Sequence, residues 1–316
     1  MIDPAQTPAL NRGARDWHRD LFRECKAWNR EIVVASSMEL VKPPAEYSAR
    51  FPDGQAVETA VGFGSLVSTH CAFNASMAAY QKQVFLAVAD LMAAEQLLPN
   101  LQFGEFCWWY FANASGMAYY DAETNAAALA ALGRPPHVFT GPDDDPAVNN
   151  GADAAFLRNR LRDHAAAIRD YVRASHPAGV FEVLFPYDVN HPVPAGVHAL
   201  GGRLNRFVNL PVEWEHKATS GLDRLKTEAL DFGAWSRDLD LVLSTLRFAR
   251  SLDWPKDSLR HLLPLFRAGY PWERECLAAL GEGFSAVTLW AFDHVCLFGL
   301  PLRPLYGIGT ARRHGP

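Results

Sequence analysis

The chain has no CxxC pair. Its five cysteines, at 25, 71, 107, 276 and 296, are odd in number and widely spaced. That pattern excludes a disulfide-stapled scaffold and reads as reduced thiols of a chain made inside a cell. Neither the cysteines nor His191 and His198 fall at metal-ligand spacing, so no metal and no cofactor are expected. No apolar run approaches the ~20 residues that span a bilayer. The start, Met1-Ile-Asp-Pro-Ala-Gln-Thr-Pro8, lacks a charged segment followed by an apolar one, so neither a secretory signal nor a membrane partner is expected. A formal net charge of -5 gives no basic surface, which argues against nucleic acid. There is no GxGxxG, no GxxxxGK[ST] and no G-x-S-x-G, which removes the main support for a dinucleotide fold, a P-loop enzyme and an α/β hydrolase.

What remains is an ordinary globular composition, 49% apolar and 21% charged over 316 residues, enough for one large core or two smaller ones. Apolar spacing predicts helices over 13–29, 74–96, 122–132, 152–175, 212–234, 258–267 and 272–280. Residues 31–37, 101–103, 180–185 and 285–291 read as strands. The segment 239–246 reads as a strand or a short helix, and a further strand is conceivable near Phe207. Residues 42–70 look loop-like, rich in proline and glycine. Strands alternating with long helices, apolar on both faces, imply parallel βα units. With the other α/β folds stripped of their motifs, the best fit is α/β of the (β/α)8 TIM-barrel type. Five strands are convincing and six arguable, where a closed barrel needs eight. Either strands lie hidden in the loops, or the first βα units lie upstream of this chain.

In such a barrel the chemistry gathers where strands end. Leu101-Gln-Phe-Gly-Glu-Phe-Cys-Trp-Trp-Tyr-Phe111 is the richest stretch. A strand runs into Gly104, then a carboxylate, Glu105, then Trp108 and Trp109. Flat rings stack on pyranoses and a carboxylic acid can protonate a glycosidic oxygen, so this is sugar-site chemistry. The plainer alternative is an aromatic core strand ended by a solvated glutamate. Glu105 is the first choice for a general acid, because apolar neighbours Phe103, Phe106 and Trp108 would raise its pKa. Glu39 and Asp188 are the candidate second carboxylates. Tyr187, Asn190, Asp293 and His294 stand at other strand ends. Trp290 is a candidate floor for a sugar subsite, with a core tryptophan as the equal alternative. No glutamate ends the strand before last, the place where many barrel glycosidases hold their nucleophile. No lysine ends a strand, which disfavours an aldolase-like barrel.

Four strings, Leu101 to Asp121, Phe185-Pro-Tyr-Asp-Val-Asn190, Gly202-Arg-Leu-Asn-Arg-Phe-Val-Asn-Leu-Pro211 and Leu289-Trp-Ala-Phe-Asp-His294, resemble the TIM-barrel domain of bacteriophage non-contractile tail sheath proteins. The resemblance implies a glycosidase-like barrel over 13–301, followed by an irregular tail over 302–316. It further implies a protein of phages or prophage regions, made in the bacterial cytoplasm and carried in the virion tail. Other tail proteins would be its partners and a glycan its possible ligand, bound without an established catalytic role. The alternative is a glycoside hydrolase with Glu105 as general acid/base. The chain departs from the family pattern in lacking upstream barrel strands and flanking assembly domains. That departure suits a fragment of a longer protein.

Overall fold

The computed structural model describes residues 6–60, 67–108, 116–142, 144–191, 202–230, 232–233, 238–264 and 272–290. The tail expected over 302–316 lies outside them. The chain forms two compact units, Met1–Phe185 with Val189–Leu225, and Pro186–Asp188 with Lys226–Pro316.

The first unit opens with α1 (Arg12–Ala27), whose N-terminal N–H groups are met by the Asn11 side chain accepting from Ala14. Strand β1 (Val34–Ser37) follows. Then comes a small antiparallel sheet of β2 (Glu39–Val41), β3 (Glu58–Ala60) and β4 (Val67–His70), in the order β2-β4-β3. This is a correction to the loop expected over 42–70. The strands are three or four residues long, too short for alternation to show between the prolines and glycines that punctuate them. Helix α2 (Ala75–Ala94) is capped by Asn74, and β5 (Asn100–Gly104) comes next. Helix α3 (Ala122–Leu132) ends on left-handed Gly133, as a helix terminator should. Helix α4 (Gly151–Arg173) and strand β6 (Val180–Pro186) follow, then the short helices α5 (Arg203–Asn209) and α6 (Lys217–Ser220). The unit closes on the start of β7 (Arg224–Glu228).

Within this unit β1, β5 and β6 lie side by side and parallel. Val34 pairs with Leu101 and Ser37 with Gly104, and Asn100 pairs with Val180. One face of the sheet is apolar: Phe103 stacks on Phe181 at 5.6 Å and leans on Phe85 of α2 at 5.3 Å. All three rings are buried, each contributing about 2–3 kcal/mol. On the opposite face Gln102 and Glu182 stand in register, and both are buried. A sheet covered on both faces is the arrangement the apolar runs implied.

The second unit holds the remainder of β7, then α7 (Leu239–Ser251), β8 (Leu259–Pro264), α8 (Trp272–Gly281) and β9 (Ala286–Trp290). Strands β8 and β9 are parallel, with Arg260 opposite Ala286 and Pro264 opposite Trp290. Behind them Leu263 and Cys276 form a small core with Trp272, Val287 and Leu289. His261 is fully buried between Thr227, 3.0 Å from its Nδ1, and Glu275, 2.5 Å from its Nε2.

Three sequence expectations are corrected here and one open alternative is resolved. The 212–234 segment is not one helix but two short helical turns followed by β7. The 258–267 segment holds β8 rather than a helix, and the segment near Phe207 is α5 rather than a strand; of the two alternatives for 239–246 the helix holds, within α7. In β7 the residues Lys226 and Glu228 look like a helix surface but are 3% and 4% exposed. In β8, Leu259, Leu262 and Leu263 fall at helical spacing, and the strand is defined by its pairing with β9. Six strands, β1, β5, β6, β7, β8 and β9, thus alternate with helices along the chain, a (β/α)8 TIM-barrel-like series. Among the described residues no helix is long and apolar enough to cross a membrane.

Candidate carboxylate site

The parallel register of β1 and β5 sets the geometry. Because Ser37 lies opposite Gly104, the residues just past those two positions, Glu39 and Glu105, leave the sheet side by side. A Cβ on Gly104 would meet the Ser36 carbonyl oxygen at 3.4 Å, an ordinary contact, so the register and not the missing side chain sets this closeness. Glu105 then turns the chain with a φ of +50°, a left-handed conformation that costs a non-glycine residue about 1–2 kcal/mol. Its carbonyl accepts from the Cys107 N–H at 2.8 Å, closing the turn.

Ser37 joins the two acids. Its hydroxyl oxygen accepts from the Glu39 N–H at 3.1 Å, and its side chain hydrogen-bonds the Glu105 carboxyl. Burial first, and the charge of Glu39 second, push the Glu105 carboxyl up to about 7 against the opposing pull of that bond. Strand β2 places Glu39 opposite His70 of β4. The His70 Nε2 lies 3.1 Å from the Cys107 carbonyl, an acceptor, so that nitrogen carries the proton. Burial, against the raising effect of that carbonyl, brings His70 down to about 4. Burial and the charge of Glu39 push the neighbouring Cys71 thiol up to about 12. Tyr47 and Tyr80, their rings 5.6 Å apart, complete the surroundings of Cys71. A carboxyl group kept neutral near pH 7 can give up a proton, and a second carboxylate beside it can activate water or stabilise positive charge.

The other sequence candidates are distributed as follows. Trp108 is 1% exposed: its indole N–H donates to the Leu157 carbonyl at 2.9 Å and its ring meets Phe73 edge-on at 4.8 Å. Its enclosed faces brace the segment after Glu105 and are not open for stacking on a ligand. Asn190 is fully buried and accepts from Asn209 at 2.9 Å. In the second unit, Tyr187 stacks on Phe248 at 4.6 Å and its N–H donates to the Glu228 carbonyl, Asp188 is buried, and Trp290 is 43% exposed on β9. Trp109, Asp293 and His294 lie outside the described residues.

Sequence reasoning passed over Tyr47, His70 and Cys71, in or beside the segment taken for a loop, and Ser37 and Tyr80, at the end of β1 and in α2. It also passed over Glu228, a buried carboxylate at the end of β7. The one available signal was the pair Ser36-Ser37 closing an apolar strand just before Met38-Glu39. The Gly202–Pro211 string gains a physical meaning. Gly202, at a φ of +140°, passes so close to Pro142 that a Cβ would stand 2.2 Å from its carbonyl oxygen. Asn205 donates to the Val189 carbonyl at 3.2 Å. The Asn209 side chain accepts from the Trp108 N–H at 2.6 Å and donates to the Trp108 carbonyl at 3.3 Å.

Compared with known proteins, residues 1–296 match the family described as the non-contractile tail sheath protein TIM barrel. No curated protein sequence matches the chain. Among solved structures it is similar to the catalytic domain of β-amylase from Paenibacillus polymyxa, with TM-score 0.59 and 13% identity over 93% of this chain and 83% of that one. It is similar to a β-galactosidase from the Antarctic haloarchaeon Halorubrum lacusprofundi, with TM-score 0.56 and 13% identity over 92% of this chain and 46% of that one. It is also similar to the PgaB (BpsB) glycoside hydrolase domain from Bordetella bronchiseptica, with TM-score 0.53 and 12% identity over 85% and 72%. At such identities the likeness concerns the fold: a glycosidase-like TIM barrel.

Proposed function

The chain belongs to the non-contractile tail sheath protein TIM-barrel family, and from that premise we propose that it is a structural component of a phage or prophage tail whose Glu105–Glu39 pair engages glycan. The observation that carries this reading is the family match over 1–296, nearly the whole chain. In this reading the protein is made in the bacterial cytoplasm and ends in the virion tail among other tail proteins. The barrel serves as a rigid body, and the two acids hydrogen-bond sugar hydroxyls. The test has two arms. Antibodies to the purified chain, gold-labelled, should decorate the tails of particles released from a host that encodes it; particles with unlabelled tails would refute the tail role. Incubated with bacterial surface polysaccharide, the chain should be retained without steady release of reducing ends.

One observation favours a second reading, a glycoside hydrolase with Glu105 as general acid/base. Burial and Glu39 leave Glu105 titrating near 7, as a proton donor requires. Steady release of reducing sugar, abolished by Glu105→Gln, would select this reading over binding alone.

A further inference from the structure

Helices α2 and α4 enclose an open-mouthed cavity of about 420 Å³ in the first unit, a size that accepts small ligands. Ala75 and Ala79 of α2 and Ala167 of α4 give it methyl-bearing walls, and Asn74, Lys82, Gln83, Arg160, Asp163 and His164 supply the polar groups. His164 is 5% exposed and stands edge-on to Phe73 at 5.2 Å. Its Nε2 lies 2.6 Å from Gln81 Oε1, while the Gln81 amide NH2 donates to Met38 Sδ at 3.4 Å. That orientation turns the amide oxygen to the ring, so Nε2 carries the proton and donates. Burial first, then the charges of Arg160 and Lys82, brings His164 down to about 3, and the ring is neutral. Its Nδ1 is therefore a lone-pair acceptor, and among the described residues no group donates to it.

The surroundings select the ligand's chemistry. A lone pair on the cavity wall disfavours a carboxylate or phosphate and welcomes a hydroxyl. Lys82 offers a donor. Arg160 already spends Nε and Nη2 on the Phe73 carbonyl, and its charge is faced by Asp121, Glu123 and Asp163. The signs are mixed, so neither a cation nor an anion is favoured. The alanine methyls match the C–H face of a sugar ring.

We propose that this cavity binds a neutral pyranose, one hydroxyl donating to His164 Nδ1 and another accepting from Lys82 Nζ. The site is formed by the helical layer and does not rest on the role of Glu105. The test is saturation-transfer NMR with methyl glucopyranoside, methyl galactopyranoside and methyl N-acetylglucosaminide, each raised to about 20 mM, where millimolar affinity is visible. Transfer to at least one glycoside is expected, with an upfield move of the His164 Nδ1 nitrogen resonance as it accepts the bond. Ala79 is exposed, so Ala79→Trp should fill the cavity with the fold intact and weaken binding at least tenfold, while Glu105→Gln leaves it unchanged. No transfer from any of the three, or transfer untouched by Ala79→Trp, would overturn the proposal. Binding lost instead in Glu105→Gln would also overturn it, placing the sugar at the strand ends.

Discussion

Replacing Glu105 by glutamine should make the protein more stable at neutral pH, and the sign follows from linkage. The carboxyl titrates near 7 when folded, against an ordinary value of 4.5. Below pH 4.5 it is protonated whether the chain is folded or not, and folding carries no charge penalty. Between 4.5 and about 7 the unfolded chain releases the proton while the folded chain keeps it, so stability falls as pH rises. Above 7 the buried carboxylate bears the full cost. The gap between 4.5 and about 7, at about 1.4 kcal/mol per pH unit, is about 3 kcal/mol. Glutamine keeps the shape and the acceptor for Ser37 but cannot ionise. The assay is urea unfolding of wild type and Glu105→Gln in matched buffers from pH 4 to 8.5. The variant should gain on wild type by about 3 kcal/mol across that range, with most of the change between 4.5 and 7. A stability difference that stays flat with pH would refute the reasoning. Glu39→Gln supplies the companion measurement: with the second cause of the shift gone, carbon NMR of the Glu105 carboxyl should show it titrating below its wild-type value.

Three further outcomes follow from the packing. Gly202→Ala sets a methyl 2.2 Å from the Pro142 carbonyl oxygen at a φ of +140°, and chemical unfolding should show a loss of about 3 kcal/mol or more. Trp108→Phe strips the Leu157 carbonyl of its indole donor and shrinks a fully enclosed ring; a fall of about 2–4 kcal/mol in unfolding free energy is expected, with no pH dependence between 5 and 8. His261→Ala removes a partner from buried Thr227 and Glu275 together, and should cost about 3–5 kcal/mol, seen as early melting of the tryptophan fluorescence.

The parts of the fold that could be read from sequence were those in which burial is apolar. Phe181, Val183 and Phe185 of β6 and the leucines of α4 announce themselves because water avoids them. Strand β7 was hidden for the opposite reason: Lys226, Thr227 and Glu228 are buried polar groups, and a pattern of charges gives no sign of which side faces solvent. Glu105 was legible as a candidate because glycine, carboxylate and aromatics coincide at a strand end. Its neighbours Ser37 and His70 were not, because register between β1 and β5 and between β2 and β4 brings them there, and register is a tertiary fact. Trp108 misleads in an instructive way. Aromatic residues near an acid suggest a platform, but an indole N–H bonded to a buried carbonyl marks a wall.

The pair of hydrogen bonds between the Asn209 amide and the main-chain N–H and C=O of Trp108 imitates what an adjoining strand offers, an acceptor and a donor to one residue. A single side chain thus continues the ladder past the end of β5, where no further strand is needed. The path leaving the acid is held from a point 101 residues away in the chain. The Leu157 carbonyl of α4 holds the indole of the same residue, so the exit is fixed from two places distant in sequence. Asparagine to aspartate at 209 would keep the shape and remove the donor, and the anchored turn would then have one hold in place of two.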